Sequence, residues 1–149
     1  MAEFAAEDID VKSRNAEDPE HFDIWLQRNL EIIRSLLMHS AWVAPTLLNG
    51  WADVAGVGDE TAGYSVDGLH HMHLKGYISG GTTADGTVLF NLTAGYRPVS
   101  IVRLGGMFVQ GSTENSYLLE ILQNGNVAIY GVSGSSPILS LHVTVDLDN

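Results

Sequence analysis

The chain has 149 residues, with 18 acidic and 7 basic side chains, a formal charge of -11 and no cysteine. That length suits one domain of ordinary size, which buries roughly 70% of its unfolded surface and needs no cross-links. The charge argues against nucleic acid, whose binding requires Lys and Arg to displace counterions, and the lack of cysteine removes disulfides, thiolate metal sites and cysteine nucleophiles. Met1 to Asp10 carries four acids and no base, so it does not read as a signal peptide. No run approaches the roughly 20 apolar residues of a spanning helix, so membrane insertion is not expected.

The first 42 residues contain no glycine, and all 16 glycines lie at or after Gly50. This contrast divides the chain into an acidic arm at 1–17, a helical stem at 18–42 and an antiparallel β domain at 43–149. The arm has little periodicity and two small apolar clusters (Phe4-Ala5-Ala6, and Ile9 with Val11). It suits a segment that orders on a partner.

Asp18-Pro19-Glu20 reads as a helix start, with Asp18 as cap and Pro19 at the first helical position, where its missing donor costs nothing. The helix is expected to run to about Ser40. Leu26, Leu30, Ile33 and Leu37 form one seam with heptad spacing. Leu at the a positions with Ile at a d position shifts preference from two strands toward three or four, so these four residues are the expected trimer contacts. The alternative is an amphipathic helix packed on its own β domain.

From Trp42 onward the apolar period is two. Strands are expected near 46–52, 63–67, 69–78, 87–93, 98–104, 106–110, 115–123 and 126–132, with a ninth at 138–146. Asp85-Gly86 and Asn124-Gly125 sit between apolar runs and read as hairpin turns. Short strands without intervening helices predict an antiparallel sandwich, jelly-roll-like.

Catalytic motifs are sparse. Gly131-Val132-Ser133-Gly134-Ser135 is a poor match to a nucleophile elbow, and most acids of the β domain fall at turns, where Asp is favoured for backbone reasons. No enzyme activity and no cofactor are expected. In Gly68-Leu69-His70-His71-Met72-His73-Leu74, His71 and His73 share a strand face with Lys75. They are candidate metal ligands, but no third ligand is near, and surface histidines are the plainer reading. Trp42, Trp51, Tyr64, Tyr77, Tyr96, Tyr117 and Tyr130 suffice for sugar stacking, with Tyr130 the exposed-face candidate, although most would serve as core or interface anchors.

Two stretches together resemble a known module. Trp42-Val43-Ala44-Pro45-Thr46-Leu47-Leu48-Asn49-Gly50-Trp51 precedes Tyr64 and Met72-His73-Leu74-Lys75-Gly76-Tyr77-Ile78. Then follow Gly86-Thr87-Val88-Leu89-Phe90-Asn91-Leu92 and Ala94-Gly95-Tyr96-Arg97-Pro98. The order resembles the β-sandwich module of tailed-phage virion proteins found in tail fibres, baseplate tips and head fibres, with Thr93 where that pattern usually has proline. The match covers about Trp42 to Pro98. The resemblance implies a virion location, a homotrimer behind a stem, docking to other virion proteins through the arm, and attachment to a host-surface glycan. A connector or decoration protein without a ligand remains open, as does an enzyme acting on surface polysaccharide. Longer loops are expected at Asp53–Gly63, Gly111–Ser116 and Gly131–Pro137, and one segment at the end of the second, Glu114, Asn115 and Tyr117, offers candidate ligand contacts.

Overall fold

A computed structural model describes residues 19–54, 56 and 59–148. The chain divides into two compact units, Met1–Met38 and His39–Asn149. The arm 1–17 and the capping role expected of Asp18 lie outside the described residues.

In the first unit, α1 spans Pro19–Leu37. It opens on the proline and carries Arg34 in its last turn, where a cation meets the negative end of the helix. The half-buried positions are Trp25, Asn29, Ile32 and Leu36, a stripe at helical spacing. The seam residues Leu26, Leu30, Ile33 and Leu37 are exposed, at 39, 55, 48 and 65%. The helix stops three residues short of the expected Ser40. From there the backbone bonds to a strand instead: Ser40 N–H donates to the Val66 carbonyl at 2.7 Å, and Val43 exchanges two bonds with Tyr64.

The second unit is mainly β and antiparallel. Its strands are β1 (Ala52–Asp53), β2 (Gly63–Val66), β3 (His71–Lys75), β4 (Tyr77–Ser79), β5 (Thr87–Asn91), β6 (Val102–Gln110), β7 (Thr113–Ile121), β8 (Asn126–Tyr130), β9 (Ile138–Ser140) and β10 (Val143–Asp146). A large sheet runs β1-β4-β9-β6-β7-β8-β5, and a small one runs β10-β3-β2. Inward side chains from both contribute to one core. Tyr64, Met72, Leu74 and Val145 come from the small sheet; Ile78, Phe90, Phe108, Leu119, Ile121, Ile129 and Leu139 come from the large one. Each fully buried side chain of this size contributes about 1.5–3 kcal/mol of transfer free energy.

Several expected strands differ from those observed, each for a physical reason. The single strand expected at 69–78 is two strands in different sheets. Gly76 has φ of 102°, and a Cβ there would stand 2.6 Å from the Ala62 backbone, so only glycine makes this corner. The run at 138–146 also splits, into β9 and β10, and Leu141 N–H donates to the Gly76 carbonyl, joining the two corners at 2.9 Å. The runs at 98–104 and 106–110 merge instead. Gly105-Gly106 stays extended within β6, because the Tyr117 ring lies where a Cβ at Gly106 would be. Asn124-Gly125 joins the paired strands β7 and β8 as expected. Asp85-Gly86 makes a turn but not a hairpin: Gly86 N–H bonds to Ile129, and β5 pairs with β8. Residues 46–51 are not a strand. They form a turn at Asn49 and Gly50, pinned to β5 by the Leu48–Leu89 bond.

Among the residues that carry the resemblance, the large aromatic side chains of Trp51, Tyr64, Phe90 and Tyr96 serve as scaffold here. Trp51 and Phe90 are buried, Tyr64 stacks on Phe90 at 6.4 Å, and Tyr96 meets Tyr64 edge-on at 4.9 Å. Gly81 leaves the space that the Trp51 ring fills.

Candidate functional site

Alternation along β3 buries Met72 and Leu74 and turns His71, His73 and Lys75 outward. Three further segments come to this face. The stretch after α1 supplies His39 and Trp42, the loop before β2 supplies Glu60, and the β9–β10 corner supplies His142. Together with Thr144 they line a groove of about 420 Å3.

Two carboxylates organise it. Glu60 Oε1 accepts from Lys75 Nζ at 2.9 Å, and its Oε2 lies 3.0 Å from His142 Nε2. These two contacts, Lys75 foremost, hold the Glu60 carboxyl below the usual range. Its backbone is fixed as well, because the Glu60 carbonyl accepts from Tyr77 N–H at 3.0 Å. Asp67 closes the β2–β3 turn by accepting from the N–H groups of Leu69 and His71, both at 2.9 Å. Its Oδ2 lies 3.0 Å from His73 Nε2 and 3.4 Å from His71 Nδ1. Burial pushes the Asp67 carboxyl up, but His73 and the two backbone donors outweigh it, leaving its pKa at about 2.

Two of the imidazoles, His73 and His142, are oriented at both ring nitrogens. His73 reaches Thr144 Oγ1 at 3.1 Å through Nδ1, and His142 Nδ1 lies 3.1 Å from Ser140 Oγ. His39 meets His73 edge-on at 4.3 Å and stacks beside Trp42. Lys75 Nζ sits 4.5 Å from the centroid of the Trp42 ring. Even so, the Trp42 side chain is 45% exposed.

His71 and His73 thus converge on one carboxylate, and no group of three or more His, Cys, Asp or Glu among the described residues is arranged to hold a metal ion. His70 takes a positive φ of 67° and pairs with Asp148 at 2.7 Å, away from the other two.

The candidates Glu114, Asn115 and Tyr117 are strand residues of β7, since the expected loop reduces to the two-residue turn Gly111-Ser112. They do not gather at one surface. Glu114 points outward, whereas Tyr117 is 4% exposed and donates to the Ser140 carbonyl at 2.7 Å. Burial pushes its phenol pKa up. Tyr130 is half-buried, and its hydroxyl donates to Glu120 at 3.2 Å.

His39, Glu60 and His142 were not singled out by sequence. They are separated by 21 and 82 residues, and each has an ordinary local context. The available signal was the period-two face of β3, which identifies the floor of the groove but not its walls.

The architecture is that of a mainly antiparallel β protein with a short N-terminal helix. It is similar to the crystal structure of the receptor binding protein (gp15) of Listeria phage PSA, with a TM-score of 0.61 and 12% identity over 85% of this chain and 78% of that one. No family model matches the chain, and no curated protein matches it.

Proposed function

We propose that this chain is a structural protein of a tailed-phage virion, a fibre or tip component that attaches the particle to its host. The observation that carries this reading is the fold likeness to a phage receptor binding protein across most of both chains. In this reading the β domain is a jelly-roll-like sandwich, and three copies join through a coiled-coil stem built on α1. The exposed apolar seam of Leu26, Leu30, Ile33 and Leu37 supports the trimer, because an uncovered stripe of that size is costly in water. The acidic arm docks to other virion proteins, and the ligand is a host-surface glycan. The protein acts by binding, without catalysis or cofactor.

The test is competition. Purified chain, labelled and added to bacteria that the particle infects, should bind saturably and block adsorption of intact particles. If it neither binds those cells nor blocks adsorption, the protein is a connector or decoration without a ligand. Light scattering should give three times 16.1 kDa. The change Leu30→Asp with Leu37→Asp should yield folded monomers, since each aspartate would place a charge in a dry seam.

A further inference from the structure

We propose that the groove on the outward face of the small sheet binds a neutral saccharide, with Trp42 as its stacking surface and Glu60, Lys75, His73 and His142 as its hydrogen-bonding wall. This rests on the attachment reading above and gives that reading a location.

Four observations converge on it. First, the chain buries Trp51 yet leaves Trp42 45% exposed along a shallow depression that is widely open to solvent. A sugar ring has an apolar C–H face and a rim of hydroxyls, which matches a flat indole bordered by polar groups. Second, the volume of about 420 Å3 falls within the roughly 300–1,000 Å3 of small-ligand pockets.

Third, charge selects a neutral ligand. Lys75 and Glu60 neutralise each other across 2.9 Å, and the chain as a whole is at -11, which opposes an anion. A cation would have to displace Lys75 or His142 from the two oxygens of Glu60. Hydroxyls need both donors and acceptors, and the wall supplies ammonium, imidazole and carboxylate together.

Fourth, the wall is held before any ligand arrives. Glu60 is fixed at both oxygens and at its carbonyl, and His73 is fixed between Asp67 and Thr144. Side chains already in place lose little entropy on binding. Gly63 lets the Lys75 stem and the Trp42 ring pack closely on β2, since a Cβ there would stand 3.2 Å from Lys75 Cε and 3.4 Å from the ring.

The experiment uses the full chain on an array of neutral and acidic oligosaccharides, alongside adsorption to host cells. The expected result is binding to neutral saccharides that does not weaken at high salt. Trp42→Ala should reduce it about tenfold or more, Trp42→Phe should retain part of it, and Glu60→Gln should reduce it without unfolding the protein. Leu118→Ala, on the outward face of the large sheet, should leave it unchanged. Circular dichroism identifies any variant that fails to fold, and Trp42→Phe with Glu60→Gln then carries the result. Binding to acidic saccharides alone, or host-cell binding that survives both folded groove variants, would overturn the groove while leaving attachment intact. If wild-type chain binds neither cells nor array, the attachment reading itself fails.

Discussion

The two sheets of the β domain use the same alternation for different ends. On the large sheet, inward residues such as Phe108, Leu119 and Ile129 build the core. Its outward face along β6 and β7 carries Met107, Val109 and Leu118, with one ion pair between Arg103 and Glu120. On the small sheet, the inward Met72 and Leu74 do similar work, but the outward face gathers imidazoles, an ammonium and an indole around two carboxylates. A scaffold can accept almost any small or apolar residue outside. A polar cluster of fixed orientation requires several segments to arrive together, and here the corners at Gly76 and Leu141 bring them.

The most damaging way to break this arrangement is at the corner. Gly76→Ala places a side chain at φ of 102° and a Cβ against the Ala62 backbone. The backbone conformation costs about 1–2 kcal/mol, and the crowding adds about 1–3 kcal/mol. Urea denaturation should therefore show a loss of about 2–5 kcal/mol, or no folded protein. A stability within error of wild type would mean that the corner is not where the two sheets are joined.

The core-and-scaffold half of the comparison is sharpened by two neighbours on β7. Leu119 is fully buried and Leu118 is 37% exposed. Leu119→Ala should cost about 2–5 kcal/mol through lost burial and the cavity left behind. Leu118→Ala should stay within about 0.5 kcal/mol, as surface substitutions do. Equal losses would show that something covers the outward face.

How much of this was legible in sequence depended on the range of the signal. The faces of β3 and β7 follow from local alternation, and so did the Asn124-Gly125 hairpin. The division of 69–78 and of 138–146 between sheets was hidden, because alternation continues across each corner and does not encode which sheet a strand joins. Asp85-Gly86 has the composition of a hairpin turn, yet its partner strand is β8, a long-range choice. Tyr117 falls in the strand expected at 115–123, and only its place beside the turn-rich Gly111 to Ser116 makes it a candidate ligand contact. The extended Gly105-Gly106 pair opposite it, which admits its ring, marks it as core only once the register is known. The groove needed Glu60 beside His142, and no local pattern predicts that contact.

The polar half of the comparison predicts a pH signature. Asp67 is held at about 2, below its ordinary 3.8. A carboxyl lowered on folding stabilises the protein above its unfolded pKa and loses that contribution as pH falls from about 3.8 to about 2. At neutral pH, Asp67→Asn should cost about 1.5–3 kcal/mol, the usual worth of hydrogen bonds to a charged group. The gap between variant and wild type should close across that acid window. A gap that persists at pH 2 would mean that the Asp67 carboxylate is not what fixes the β2–β3 turn.

The smallest expected effect lies on the large sheet, where a charged pair contrasts with those of the groove. Arg103 Nε donates to Glu120 Oε2 at 2.7 Å, and the Glu120 Oε1 accepts from Tyr130. That contact with Glu120 raises the Tyr130 phenol pKa, because ionising it would set two negative charges side by side. Arg103 is 61% exposed at its side chain, while Glu120 is 10% exposed. Solvent screens the pair from the arginine side, so its contribution should fall within the roughly 0–1 kcal/mol of exposed salt bridges. Removing the arginine leaves the largely buried carboxylate with the Tyr130 hydroxyl as a remaining donor, which limits the cost of an unpaired charge. Arg103→Ala should thus change stability by less than about 1 kcal/mol, and high salt should shrink even that difference. The variant should leave the groove intact, because Arg103 belongs to β6 on the other sheet. A larger loss, insensitive to salt, would mean that water is excluded from this face by a neighbouring chain, and the contrast between a bare scaffold face and a working polar face would have to be redrawn.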